Sequence, residues 1–200
     1  MRSSIFALAL TLAVAGLGAP AAAHADTFAV DASHSEVGFK VRHNTISWVH
    51  GQFGEFEVAV EFDPADVAAT TIEATIQIAS VDTDHTKRDE HLRGADFFDA
   101  ATFPTMTYKS TKVRKITKDG FEVVGDLTMH GVTQEVVLAV DTIPATITDP
   151  WGNVRTGTSA TTRIDRKDFG VSWSKIMDNG GLVVGDDIHI TLDIELIKAK

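Results

Sequence analysis

Cysteine is missing from this sequence of 200 residues. Disulfide bonds, thiol nucleophiles, thiolate metal sites and zinc ribbons are therefore excluded. A chain without such cross-links must be held together by an apolar core, and its hydrophobic content of 44% is sufficient for one. The length suits a single domain.

Basic residues are scarce relative to acidic ones. The chain has 18 lysines and arginines against 28 aspartates and glutamates, which gives a formal net charge of −10. An acidic balance of this size repels phosphate backbones and anionic surfaces. We therefore expect no nucleic-acid partner and no stable insertion into membranes.

Familiar catalytic motifs are also absent. The sequence has no G-x-S-x-G elbow, no phosphate-binding loop and no H-E-x-x-H motif. His85 and His91 could converge with Asp82 or Asp84 on a metal ion. Together with Asp89, these two histidines define an alternative function, that of a metal-dependent hydrolase.

The first 25 residues have the pattern of a secretory signal peptide. Arg2 precedes an apolar run over residues 5–17, and an A-x-A cleavage pattern ends at Ala25. The run is shorter than the roughly 20 residues that span a bilayer. The sequence therefore predicts a cleaved signal over residues 1–25 and one mature domain over residues 26–200, with no later apolar run long enough to cross a membrane.

The mature sequence alternates apolar and polar residues in segments separated by Gly, Asp, Asn or Pro. We count about eight such strands and one helical signal, which favours an antiparallel barrel or sandwich. Ala74, Gly125 and Ala160 fall among the larger residues expected to face inward. A barrel of about eight strands is either filled by side chains or holds one slender ligand, and small inward residues favour the ligand.

The segment from Lys87 to Pro104 interrupts this alternation. Thr86 and Asp89 form a capping pattern, and Gly94 lies where a helix would end in a left-handed residue. So short a helix is not stable alone in water, so its apolar residues must pack against the rest of the protein.

The charged side chains of this segment allow two interpretations. They form a polar clamp for a ligand head group at a cavity mouth, or they anchor the loop itself, with Asp89 and Arg93 as an i, i+4 helix pair. The side chains in question are Arg88, Asp89, His91, Arg93, Asp96 and Asp99.

Several stretches, taken in order, resemble the polyisoprenoid-binding YceI-like family. They are residues 28–35 (FAVDASHS), 51–53 (GQF), 87–93 (KRDEHLR), 96–99 (DFFD), 103–104 (FP), 127–133 (LTMHGVT) and 164–170 (IDRKDFG). The resemblance covers the mature chain. It implies an all-β, antiparallel, up-and-down eight-stranded lipocalin-like barrel with a short helix in the connection from Lys87 to Pro104. It also implies a periplasmic protein that carries a long isoprenoid lipid, a quinone or a polyprenyl lipid, with no catalytic residues and no cofactor besides that ligand.

The predicted binding residues are the inward positions of the strands. Arg88 and His91 are candidates for contacts with the polar end of the lipid. Two positions depart from the family pattern: Val58 stands where glycine is common and could narrow the cavity, and His85 could alter the head-group end. The oligomeric state is expected to be a monomer or homodimer, and a filled barrel serving as an interaction module is a further alternative. The predicted apolar contacts are Phe39, Val41, Phe56, Val58, Ile72, Ala74, Ile76, Met106, Tyr108, Leu127, Met129, Val136, Leu138 and Ile164.

Overall fold

The computed structural model of the chain describes residues 25–178 and 180–199. The predicted signal peptide therefore lies outside the described residues except for Ala25. The described part contains one α-helix, α1 (Thr86–Arg93). Its strands are β1 (Asp26–Val30), β2 (Glu36–His43), β3 (Ser47–Phe53), β4 (Phe56–Phe62), β5 (Thr71–Gln77), β6 (Val81–Asp82), β7 (Thr105–Arg114), β8 (Gly120–Met129), β9 (Val132–Asp141), β10 (Ile147–Thr148), β11 (Val154–Asp165) and β12 (Val184–Lys198).

Eight antiparallel strands close into a barrel, in the order β11, β9, β8, β7, β5, β4, β1 and β12, with β12 pairing back onto β11. This confirms the predicted fold. Strand β12 is long enough for one of its edges to serve two partners, β2 along residues 184–193 and β1 along residues 196–198. Strands β3 and β6 continue the sheet from β2.

The alternation of the sequence places one face of each strand inside the barrel. The buried side chains form a large cluster around residues such as Val123 and Ile78, and a smaller cluster of Phe28, Val60, Phe62 and Leu196. We call the end that contains this smaller cluster the sealed end. The opposite end, which α1 and the residues 166–173 cover, is called the helix end.

Helix α1 begins differently from the prediction. His85, rather than Thr86, is the N-cap, and its Nδ1 accepts the backbone N–H of Arg88 at 3.3 Å. Gly94 is extended, with φ of −75°, so the predicted left-handed ending is wrong. A histidine ring nitrogen can accept the same helical N–H as a Ser or Asp oxygen, which is why the usual capping pattern misplaced the start by one residue.

The charged residues of α1 form hydrogen bonds with the segment that precedes the helix rather than with each other. Asp89 is buried and accepts the backbone N–H of Thr83 at 2.9 Å and its hydroxyl at 2.5 Å. Arg93 donates to the carbonyl oxygens of Ala79 and Val81, both at 3.2 Å. The predicted i, i+4 pair of Asp89 and Arg93 is therefore wrong. The segment before the helix offers each of these side chains a backbone hydrogen-bond partner instead.

Candidate ligand-binding cavity

An elongated cavity of about 210 Å³ lies inside the barrel. At the helix end its wall includes Leu92, Phe97 and Phe98, and toward the sealed end it reaches Thr70 and Ile143. Apolar side chains supply nearly all of the remaining wall. The polar or charged side chains that line it are Thr70, Tyr108, Thr158, Thr162 and Arg166.

Thirteen of the predicted binding residues line this cavity. The structure thus brings together side chains from strands that are far apart in sequence, although whether they contact a lipid stays a prediction. They are Phe39, Val41, Val58, Ile72, Ala74, Ile76, Met106, Tyr108, Leu127, Met129, Val136, Leu138 and Ile164.

Phe56 is a predicted residue that lies inside the barrel but does not line the cavity. Its side chain is buried in the large core cluster, opposite Ile76 in the register of β4 and β5. Alternation identifies the inner face of a strand, which Phe56 does occupy, but it does not reveal where neighbouring side chains leave space.

Arg88 and His91, predicted for the polar head group, lie outside the cavity wall. Arg88 donates through Nε to the Thr83 hydroxyl at 2.6 Å and through Nη2 to the Thr83 carbonyl oxygen at 2.5 Å. His91 Nε2 lies 2.9 Å from Asp96 Oδ2, and its ring packs edge-on against Trp173. Both side chains hold the covering segment in place, as the anchoring interpretation of this loop predicted.

The side chains of the alternative metal site do not converge either. His85 caps α1, Asp89 bonds to Thr83, and His91 pairs with Asp96. Among the described residues, the one group of three potential ligands within 4.8 Å of one another is Asp31, His34 and Glu195. Its two carboxylates accept hydrogen bonds from Arg155, so a guanidinium already supplies the positive charge there.

Arg166 is the charged residue of the cavity wall, and sequence reasoning did not identify it. Its side chain is almost completely buried and donates to the carbonyl oxygens of Val171 at 2.7 Å and Gly185 at 2.9 Å, and to Asp186 Oδ1 at 3.0 Å. Burial lowers the pKa of the guanidinium, against the opposing effect of Asp186. Strand β11 ends at Asp165, and Arg166 begins a short 3-10 helix, so the alternation of the strand gave no signal for its place in the wall.

Tyr108 places a hydroxyl in the wall without placing a charge there. The hydroxyl donates to the carbonyl oxygen of Val123 at 3.1 Å. Burial, helped by nearby Asp126, raises the pKa of Tyr108 well above its ordinary value. Its ring needs Gly125 beside it, since a Cβ at that position would lie 2.5 Å from the ring carbon Cζ. The small residue therefore makes room for an aromatic side chain that stays neutral.

The sequence of this barrel is similar to that of a known family. The YceI-like domain family matches residues 28–196. The chain belongs to this family. A UPF0312 protein of Vibrio cholerae is 40% identical over 80% of this chain and 88% of its own length, and one of Azotobacter vinelandii is 38% identical over 86% and 88%.

Solved structures share the YceI-like fold. The YCEI protein of Campylobacter jejuni is 34% identical, covers 86% of this chain and 97% of its own, and superposes with a TM-score of 0.66. BcnA of Burkholderia cenocepacia is 26% identical, with coverage of 83% and 98% and a TM-score of 0.73. A polyisoprenoid binding domain from Saccharophagus degradans, 17% identical, shares the fold with a TM-score of 0.61 over 88% of this chain and all of its own. Over the described residues, no helix of this YceI-like chain combines the length and hydrophobicity that a membrane span requires.

Proposed function

We propose that this YceI-like protein is a periplasmic carrier that binds a long-chain isoprenoid lipid, of the quinone or polyprenyl type, inside the barrel. The observation that carries the proposal is the cavity itself, which runs between the two ends of the barrel and is lined almost entirely by apolar side chains. Such a wall favours a hydrocarbon chain over a polar substrate, because a polar group would lose its water without gaining partners.

The size of the cavity affects how the lipid is held. At about 210 Å³ it is smaller than the roughly 300–1,000 Å³ of typical ligand sites. A long chain therefore displaces wall side chains or leaves part of its length outside. Met106 and Met129 line the wall, and unbranched methionine adapts to such displacement. Each buried methylene contributes about 0.8 kcal/mol before ordering costs, so affinity rises with chain length until the space is filled.

Two further observations support the ligand class and the location. The same fold serves as a polyisoprenoid binding domain in the Saccharophagus degradans protein. The apolar run and A-x-A pattern of residues 1–25 support export. The role is binding rather than catalysis, since the residues of the wall offer no nucleophile beside a base.

The direct test is to purify the protein from its native host and extract it with organic solvent. We expect mass spectrometry to detect a co-purifying isoprenoid lipid. We also expect quinones with longer isoprenoid tails to raise the melting temperature more, up to a plateau, because a ligand that binds only the folded state stabilises it. Absence of a bound lipid, together with an unchanged melting temperature on adding quinones, would falsify the proposal.

A pair of matched substitutions tests where the ligand lies. Ala74→Phe adds a ring to the cavity wall, and Ala59→Phe adds the same ring to the exposed face of the neighbouring strand. We expect Ala74→Phe to reduce quinone affinity about tenfold or more, since a phenyl group occupies a large part of so small a cavity. Ala59→Phe should bind like the unmodified protein. Equal affinities for the two variants would place the ligand outside the barrel.

A further inference from the structure

Two hairpins lie side by side at the helix end of the barrel. The turn between β2 and β3 contains Asn44 and Thr45, both with positive φ. The second hairpin contains residues 175–178 and 180–183, and in it the backbone N–H of Val183 bonds to the carbonyl oxygen of Lys175 at 2.9 Å. A bond of 2.9 Å from the backbone N–H of Asn44 to the carbonyl oxygen of Val183 joins the two. The turn of the first hairpin therefore adjoins the base of the second, beside the part of the cavity wall that contains Val41 and Val184.

Each tip exposes a large apolar side chain. Ile46 is 79% exposed and Ile176 is 77% exposed. Trp48 follows Ile46 by two residues on the outer face of β3, where its ring packs against His189. Large apolar side chains exposed on two adjoining hairpins are typical of a surface that meets an apolar partner.

The charges of these hairpins differ in sign from those of the whole chain. Residues 40–50 and 174–183 contain Lys40, Arg42 and Lys175 against one acidic residue, Asp178, whereas the chain has a net charge of −10. Within the described part, none of the three cations forms an ion pair. The Arg42 guanidinium lies 4.1 Å from the centre of the Trp48 ring, and the Lys40 ammonium lies 5.1 Å from it.

The sealed end also exposes apolar side chains, Ile147 and Trp151 among them, but the cations nearest to these two are neutralised. Arg155 bonds to three carboxylates, and Lys198 pairs with Asp26 at 2.7 Å. Among the described residues, the two hairpins at the helix end therefore combine exposed apolar side chains with three cations that form no ion pair. That combination complements the phosphate groups and acyl chains of an anionic bilayer, which attract cations and accept apolar side chains at the interface.

We propose that the two hairpin tips form a docking surface for anionic phospholipid bilayers, which directs the helix end of the barrel toward the membrane. The inference rests on the proposed function, since a carrier of isoprenoid lipids must collect or deliver them at a bilayer. Ile46 and Ile176 enter the interface, while Arg42 and Lys175 contact lipid phosphates. Contact remains peripheral and reversible, because two isoleucines bury far too little surface to anchor the protein.

The test uses vesicles of phosphatidylglycerol and phosphatidylcholine in equal parts, at low salt, with the full-length mature protein. We expect the unmodified protein to co-float with these vesicles and not with pure phosphatidylcholine. The double variant Ile46→Asp/Ile176→Asp should bind about tenfold or more weakly, because it loses apolar contact and adds negative charge. Arg42→Glu/Lys175→Glu should lose binding by a similar factor and show a weaker dependence on salt.

The matched control is Ile147→Asp/Trp151→Asp, which removes exposed apolar groups at the sealed end and should bind vesicles like the unmodified protein. The proposed docking surface is contradicted if the unmodified protein does not bind anionic vesicles. It is also contradicted if the control variant loses as much binding as the two hairpin double variants. The latter result would indicate nonspecific adhesion, and hairpin variants that bind normally would point to a protein partner instead.

A second measurement separates this inference from the proposed function. A quinone with a short isoprenoid tail, supplied from solution without vesicles, should raise the melting temperature of the hairpin variants as much as that of the unmodified protein. If the quinone changes the melting temperature of none of these proteins but vesicle binding follows the expected order, the carrier function is contradicted and the docking surface is supported. If the quinone raises the melting temperature of all of them while the hairpin substitutions leave vesicle binding unchanged, the carrier function is supported and the docking surface is contradicted.

Discussion

The two ends of the barrel are closed in different ways. At the sealed end, Phe28 and Leu196 are 1% and 2% exposed, and the four buried members of the cluster all come from strands, with Val67 and Ile143 of two connections packed against them. At the helix end, the covering side chains belong to α1 and to connections rather than to strands. Leu92, Phe98 and Trp173 are partly buried, whereas Phe97 and Phe169 are buried. One end is thus closed by the barrel itself, and the other by segments laid across it, which can move without breaking the strand ladder.

The two ends also use arginine differently. Arg155 joins three separate parts of the sealed end, with bonds of 2.6 Å to Asp31, Asp149 and Glu195. Arg166 instead bonds to backbone carbonyl oxygens at both ends of the segment that carries Trp173 and the second hairpin. The first arrangement ties strands to one another, whereas the second fixes the base of a cover. We therefore expect substitutions at the sealed end to affect mainly global stability, and those at the helix end to affect the opening of the cover in addition to stability.

The largest expected effect comes from removing one phenyl ring at each end. Phe28→Ala should lower the free energy of unfolding by about 3–5 kcal/mol, because it leaves a cavity in a tightly packed cluster. Phe98→Ala should cost less than half as much, since its ring is partly exposed and already borders open space. Urea denaturation of both variants measures the difference.

Ligand exchange supplies the complementary measurement for this pair. Phe98→Ala should release a bound quinone faster than the unmodified protein, whereas Phe28→Ala should leave the release rate nearly unchanged. Faster release from Phe28→Ala than from Phe98→Ala would reverse the assignment of the two ends.

The sequence predicts the barrel well because its signals are local and repeated. Alternation such as that from Ile188 to Leu196 identifies strands and their inner faces, and thirteen inward residues do line the cavity. Phe56 shows the limit of this reasoning, since free space depends on how side chains from distant strands pack. Arg88 and His91 show another limit. From the sequence alone, a polar side chain that binds a ligand cannot be distinguished from one that bonds to the segment beside it.

The second-largest effect is expected from Arg166, which holds the base of the segment that covers the helix end. Arg166→Met should lower stability by about 2–4 kcal/mol, because buried carbonyl oxygens lose a charged donor. Limited proteolysis should then cut residues 171–183 faster than in the unmodified protein. Arg166→Lys keeps the charge but cannot reach several carbonyl oxygens at once, so its cleavage rate should lie in between. Cleavage at the sealed end first would show that Arg166 does not act on this segment.

The smallest effect is the response of the sealed end to acid. Hydrogen bonds from the Ser33 hydroxyl and from Arg155 hold the pKa of Asp31 well below its ordinary value of 3.8. Burial opposes the same shift in Asp149, but hydrogen bonds from Asn153 and Arg155 prevail, so its pKa is also lowered. The unfolded chain therefore binds more protons than the folded one in acid. The stability that these carboxylates provide is complete above a pH of about 4, and it is lost as the pH falls through their pKa values in the folded protein.

Substitutions in the Arg155 network isolate this contribution. Asp31→Asn should flatten the dependence of unfolding free energy on pH in acid by up to about one proton, since its carboxyl no longer titrates. Arg155→Gln keeps the carboxylates but removes their shared donor, so their pKa values return toward the ordinary value and the acid slope also becomes shallower. Urea denaturation at a series of pH values measures both slopes. Identical slopes in all three proteins would mean that the network does not couple folding to proton binding, and the sealed end would then depend on its apolar packing alone.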